Sequence, residues 1–262
     1  MRLVARVGVL FVLAVAVLGP FLTTGSPTEQ VGVPYAPPGA GHPLGTDALG
    51  RDLLARVLAG GWIVVTLAAG ATLLATALGV LTGVTAGLAP RRAADLLIRL
   101  TDVIAIVPAV LIMLVFAAGF PGSDLAVLAA VALTTTPFSA RVVSAATRTV
   151  ARSGFVEVAR GRGDTPAQVL RHDILPNIAG TVLTDAGIRF VAAVHLTATA
   201  GFLGLGRGAP APNWGRMVQE NLPGLSLSPL PVLVPALLIA VLAVSVNLVA
   251  DDLAARTTGV TG

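Results

Sequence analysis

Six apolar runs, separated by segments rich in glycine, proline and charge, organise the chain; they cover about 3–22, 62–88, 96–118, 125–139, 180–205 and 230–250. A helix needs about 20 predominantly apolar residues to cross a bilayer. The pattern therefore predicts an all-α fold, a polytopic membrane helix bundle of about six transmembrane helices. The fourth run continues past Ser139 as a less apolar helix. The first lies behind Arg2 and Arg6, which is also the layout of a signal peptide. It is long enough to span, however, and no small-x-small cleavage site follows, so it is expected to be retained. Proline and glycine inside the runs are compatible with spanning, because neighbouring helices satisfy the freed backbone groups.

Composition agrees with this picture. Apolar residues make up 55% of the chain and charged residues 11%, with a mean hydropathy of +0.88. Soluble domains carry roughly 25% charge, so this chain could not cover a soluble surface. Cysteine is absent, which excludes disulfides, thiolate nucleophiles and Cys-ligated metals. The net charge of +4 comes from 17 arginines and no lysine. Their position in short loops reads as membrane topology, and no nucleic acid partner is expected. With the N-terminus inside, twelve arginines fall in inner segments; four, Arg51, Arg56, Arg207 and Arg216, fall outside, and Arg189 stays in a span. The positive-inside rule then puts both termini in the cytoplasm of a multi-pass protein of the bacterial plasma (inner) membrane.

Three connections exceed a turn: 23–61 and 207–229 outside, and 141–177 inside. The inner one reads as a docking element. Gly163 can end a first short helix in a left-handed conformation. Thr165 can cap a second, with Pro166 at its first position and Gln168 completing a capping box. Pro176 is expected to stop that second helix before the fifth span. The product is two short helices meeting at a sharp corner.

On spacing, Glu157, Ala159, Gly163, Leu175 and Pro176 resemble the EAA loop of binding-protein-dependent ABC importer permeases; Val158 and Asp173 depart from its usual residues. The resemblance implies that Glu157, Ala159, Arg160, Gly163, Asp164, Thr165, Leu175 and Pro176 couple the chain to an ATPase. Residues 42–56, HPLGTDALGRDLLAR, resemble the "HPLGTDxLGRDxLSR" signature of the dipeptide, oligopeptide and nickel branch, with Gly45, Thr46, Asp47, Gly50, Arg51 and Asp52 as its marks. Here Leu49, Leu53, Leu54, Val57 and Leu58 share one helical face while Arg51, Asp52 and Arg56 face elsewhere. That pattern suits an interfacial helix leading into the second span. GFLGLG at 201–206, with Trp214 and Gly215 after it, is similar to that branch's "SFLGLG…PSWG". These glycines end a span and follow no strand, so they do not read as a nucleotide loop. Trp214 suits an anchor at the outer interface. Arg99, Asp102 and Pro108 match a further branch pattern, as do Asn247, Asp251 and Leu253, although the usual closing "DPR" is absent.

The resemblance covers about 41–253 and implies the type I ABC importer permease fold, as the second, C-type permease subunit. It divides the chain into a first helix with an outer segment carrying the interfacial helix (1–61), a permease core (62–253) holding the coupling loop 141–177, and a short tail (254–262). It further implies a homologous second permease, two cytoplasmic ABC ATPases and an extracytoplasmic solute-binding protein as partners, all working with membrane lipid. Peptides are the default solute, with nickel or another metal complex as the alternative. No cofactor is expected on this chain. It has no Walker sequence, so ATP and Mg²⁺ would be used by the ATPases, and the chain is expected to be non-catalytic. An ion-gradient-driven secondary transporter is a more remote alternative, and the two similar halves it would favour are not found.

Four ionisable residues fall in spans, where charge is costly. Asp102 can pair with Arg99 at i,i+3, and Asp185 with Arg189 at i,i+4. His195 sits near the middle of the fifth span, which the resemblance places beside the translocation path, so His195 and Phe202 are candidate lining residues. His42, His172 and His195 lie on different elements, which makes one metal site between them improbable.

Overall fold

A computed structural model describes residues 2–23, 25–39 and 41–257, with side chains from residue 7 to 249. The Asp251 and Leu253 side chains and most of the expected tail lie outside the described residues.

The elements run α1 (Arg2–Leu22), α2 (Leu53–Leu88), α3 (Arg91–Ile106), α4 (Ala109–Gly119), α5 (Asp124–Ala151) and α6 (Gly154–Gly161). Then α7 (Pro166–Gln168) passes through a π-helical turn, Val169–Ile174, into α8 (Leu175–Phe202), followed by α9 (Trp214–Asn221) and α10 (Leu230–Thr257). Four stretches are long and apolar enough to cross a membrane: Leu53–Leu88, Asp124–Ala151, Pro166–Phe202 and Leu230–Val249. The pair α3 and α4 counts as a fifth, and α1, apolar over Val7–Leu22, occupies the first predicted run.

Helix α2 is the hub. It packs along α5, with α1 and α8 on its other sides, while α10 closes against α1, α8 and α9. Between α2 and α5 the contact is made by small residues. A side chain added at Gly79, Gly83 or Gly87 would come within 2.5–2.6 Å of Ser139, Val143 and Thr147 in turn. The four-residue spacing on both helices sets them in register. Lipid tails are as apolar as leucine, so burial alone does not drive spans together, and close backbone approach carries the association. Gly83→Leu is therefore expected to cost about 1–3 kcal/mol through overpacking. A lowered thermal unfolding midpoint in detergent would register it, and an unchanged midpoint would show that the interface is not tightly packed.

Three expectations are corrected here. Among the described residues no separate interfacial helix precedes α2, which begins at Leu53 and is capped by Asp52 accepting the Leu54 N–H at 2.9 Å. Upstream, Gly45 (φ 80°) and Gly50 (φ 71°) turn the chain too sharply for a helix. The third run is not one rod, because α3 and α4 meet at 82°. The break falls at Val107-Pro108, where proline biases its predecessor away from helical geometry. Finally, Pro176 does not stop its helix. The π turn shifts the hydrogen bonding by one residue, so that Leu175 N–H reaches the Leu170 carbonyl. Pro176 follows directly on this π turn inside the rod, so the gap its missing N–H leaves coincides with the shift in hydrogen bonding that the π turn already makes. Residues Pro166–Phe202 form one continuous helical rod of 37 residues.

Candidate functional site

At the end of the bundle where α5 stops, the chain makes the expected corner. Helix α6 buries Val156 and Ala159 and exposes Phe155 and Val158. Its end is a Schellman motif: Gly163 N–H donates to the Arg160 carbonyl at 3.0 Å and Asp164 N–H to the Ala159 carbonyl at 3.2 Å. Gly163 adopts φ 93°, which glycine alone takes without strain. Thr165 then caps α7. Its hydroxyl accepts the Gln168 N–H at 3.4 Å, and the Gln168 side chain accepts the Thr165 N–H at 2.7 Å, a complete capping box.

The corner is not a dangling loop. Val156 and Ala159 of α6 pack with Val169, Ile174 and Ile178 of the rod and with Val84 and Val143 at the ends of α2 and α5. Of the residues the sequence singled out, Glu157, Arg160, Gly163 and Thr165 are exposed around the corner, and Asp164 is half-buried. Asp164 also accepts from Arg162 at 3.1 Å. Ala159 is buried, so it seats the corner and presents nothing to a partner. Leu175 and Pro176 lie further along, where the rod becomes α8.

The opposite end carries a second cluster. Asp47 is fully buried and accepts from the N–H groups of Leu49 and Arg51, both at 2.9 Å, and from Arg51 Nε at 2.7 Å. Arg56 Nη1 stands 3.3 Å from the same carboxylate. Glu220 of α9 bridges the two arginines, at 2.9 Å from Arg51 Nη2 and 3.0 Å from Arg56 Nη2. Asn221 accepts the Ala48 N–H at 2.9 Å, and Thr46 ties Val33 to Ala36. These bonds lock the segment before α2 onto α9. Arg51 and Arg56 are thus buried between the two carboxylates. Trp214 is not an interface anchor. It is fully buried, its indole N–H donates to the Val57 carbonyl at 2.7 Å, and its ring sits against Gly60 and Gly61. Gly215 lets α9 touch the α8 backbone at Ala198.

Sequence reasoning missed Glu220 and Asn221. One signal was present: two arginines of one short segment had a single nearby acid other than the capping Asp52.

The charges within spans resolve differently from expectation in one case. Asp102 pairs with Arg141 of α5 at 2.6 Å, not with Arg99, and so fastens α3 to α5. Asp185 pairs with Arg189 at 3.3 Å as expected. It also accepts from the Ser139 hydroxyl, while Arg189 lies 5.4 Å from the Phe138 ring centre. These contacts join the rod to α5. His195 Nδ1 is 2.9 Å from the Val191 carbonyl of its own helix. His195 and Phe202 share one groove of about 310 Å³ with Gly215, Val218, Ala236 and Ile239.

An all-α membrane bundle with a rigid corner at one end and a charge-locked plate at the other is built on an importer permease fold. A solved inward-facing conformation of the MetNI methionine ABC transporter superposes with a TM-score of 0.59 at 18% identity, covering 77% of this chain and 96% of that one. The chain belongs to the family of binding-protein-dependent transport system inner membrane components, whose profile matches residues 79–259. Among its relatives is a protein assigned as a peptide transport system permease in Brucella suis biovar 1 (strain 1330), 31% identical over 95% of this chain and 85% of that protein. Another is the dipeptide transport system permease protein DppC of Alkalihalophilus pseudofirmus, 30% identical over 91% of this chain and 79% of that protein.

Proposed function

We propose that this chain is one of two homologous permease subunits of an ATP-driven peptide importer, coupled to cytoplasmic ATPases through the corner at Gly163. The observation that carries this reading is mechanical. The exposed corner is seated by buried contacts and continues into α8 without a break, so a displacement of α6 and α7 moves the Pro166–Phe202 rod as a unit. That rod bears His195 and Phe202, which would line the path at the interface with the second permease. Two ATPases would each hold one permease's corner, and their closure on ATP would shift the rods from inward- to outward-facing. Hydrolysis, with its Mg²⁺, belongs to the ATPases, and this chain supplies positioning only and binds no cofactor.

The arginine distribution supports an orientation with both termini and the corner in the cytoplasm. The plate around Asp47 and Glu220 would then face outward and receive a solute-binding protein. Peptides are proposed as the solute because the relatives named above are peptide and dipeptide permeases.

The test is uptake of a labelled dipeptide by proteoliposomes holding the complex of both permeases, the ATPases and a solute-binding protein from the same organism. Uptake is expected to need both ATP and the binding protein. Uptake driven by an ion gradient without ATP would overturn the reading, and ATP-dependent uptake of Ni²⁺ complexes alone would overturn the choice of solute.

A further inference from the structure

We propose that the cleft between α3 and α5, at the end of the bundle that carries the corner, binds the headgroup of an anionic phospholipid. The cleft measures about 580 Å³ and is lined by Arg99, Arg141, Arg148, Ser144 and Asp95 over a floor that includes Ile98. Arg141 spends Nε and Nη2 on Asp102, at 2.8 and 2.6 Å. Among the described residues, Arg99 and Arg148 make no ion pair with any carboxylate. Asp95 stands one turn from Arg99, yet the two are not paired. Free guanidinium groups converging on a concave site suit a phosphate, which accepts their paired N–H donors.

A soluble phosphate and a lipid phosphate share that chemistry, and the surface beside the cleft favours the lipid. Asp95, Ile98, Arg99 and Asp102 form one stripe of α3. The adjacent stripe, Leu96, Leu100 and Val103, is exposed to about 60%. Helix α3 runs beside α5, with Asp102 on Arg141 and with Asp95, Arg99, Ser144 and Arg148 lining one cleft, and the chain turns by 82° where α3 gives way to α4. An amphipathic helix so placed presents charge at headgroup level and leucines to acyl chains. Basic clefts between spans on the cytoplasmic side are where anionic headgroups collect. The inference rests on the cytoplasmic orientation of the corner, and on no part of the transport reading.

The full-length chain, purified in a neutral detergent, can be titrated with phosphatidylglycerol or phosphatidylcholine and its retained lipid counted by native mass spectrometry. Phosphatidylglycerol should be retained in preference, and R99Q/R148Q should weaken it about tenfold or more. R91Q/R92Q removes the same charge from exposed positions outside the cleft and is expected to leave retention nearly unchanged. Equal losses in the two double variants would reduce the effect to general surface charge and overturn the proposal. Displacement of phosphatidylglycerol by millimolar inorganic phosphate would assign the cleft to a soluble anion and overturn it as well. If the double variant cannot be purified, R99Q alone carries the same comparison against R92Q. Lipid retention with transport absent would leave this inference standing while the transport reading fails.

Discussion

Asp47→Ala is expected to destabilise the protein by about 3–5 kcal/mol, the cost of removing one partner from a buried ion cluster. The Asp47 carboxylate has no solvent exposure and is held by Arg51, Arg56 and two backbone N–H groups. Without it, two buried guanidinium groups share only Glu220, which is itself partly exposed. The loss should appear as a lower thermal unfolding midpoint in detergent and as faster proteolysis in the segment before α2, since that segment is tied to α9 through these groups. Asp47→Asn keeps the shape and the acceptance of backbone N–H groups, so its loss should be smaller. An unchanged midpoint for Asp47→Ala would mean that the cluster contributes nothing to holding that segment on α9.

Gly163→Val is expected to leave the bundle intact and to break the proposed connection to the ATPases. No neighbouring atom lies within 4 Å of a side chain added at Gly163, so the substitution causes no clash. Its effect is on the backbone. A β-branched residue at φ 93° is strained by roughly 1–3 kcal/mol, and the chain relieves that strain by opening the turn. The two Schellman hydrogen bonds then fail, and the exposed face of α6 no longer sits at a fixed angle to the rod. Coupling should fall by roughly 5- to 150-fold, the range that such an energy spans. Solute-stimulated ATP hydrolysis and co-purification with the ATPase report it directly, with the thermal unfolding midpoint as the control for folding. Asparagine, which tolerates the left-handed region, should retain more coupling than valine. Wild-type values of both readouts in Gly163→Val would remove Gly163 from the coupling device.

The corner was legible in the sequence because its determinants are local. Gly163 closes a motif with residues three to five positions away, and Thr165 needs only Gln168 to complete its box. The spans were legible because each is a long apolar run. What escaped was decided across the fold. Pro176 reads as a stop by its local rule, but an unforeseen π turn upstream lets the helix pass it. Arg56 reads only as a charge off the apolar stripe until Glu220 arrives from 164 residues away. Trp214 resembles an interface anchor until it meets the flat seat offered by Gly60 and Gly61. Asp102 had a partner at i,i+3 by spacing, yet Arg141 on the adjacent helix reaches it instead. Partners on separate elements leave no periodicity to read.

The chain contains no cysteine, which permits the most direct test of the central claim that the corner is where the ATPases act. Val158 on α6 and Leu49, at the opposite end of the bundle, are both well exposed, at 61% and 57%. Val158→Cys and Leu49→Cys can each be labelled with a thiol-reactive, photoactivatable cross-linker, which needs no thiol on the partner, in membranes that also contain the candidate ATPase. The account predicts a cross-link from position 158 to the ATPase that changes with ATP, and none from position 49. A cross-link from position 49, or none from 158 in an assembled complex, would contradict it.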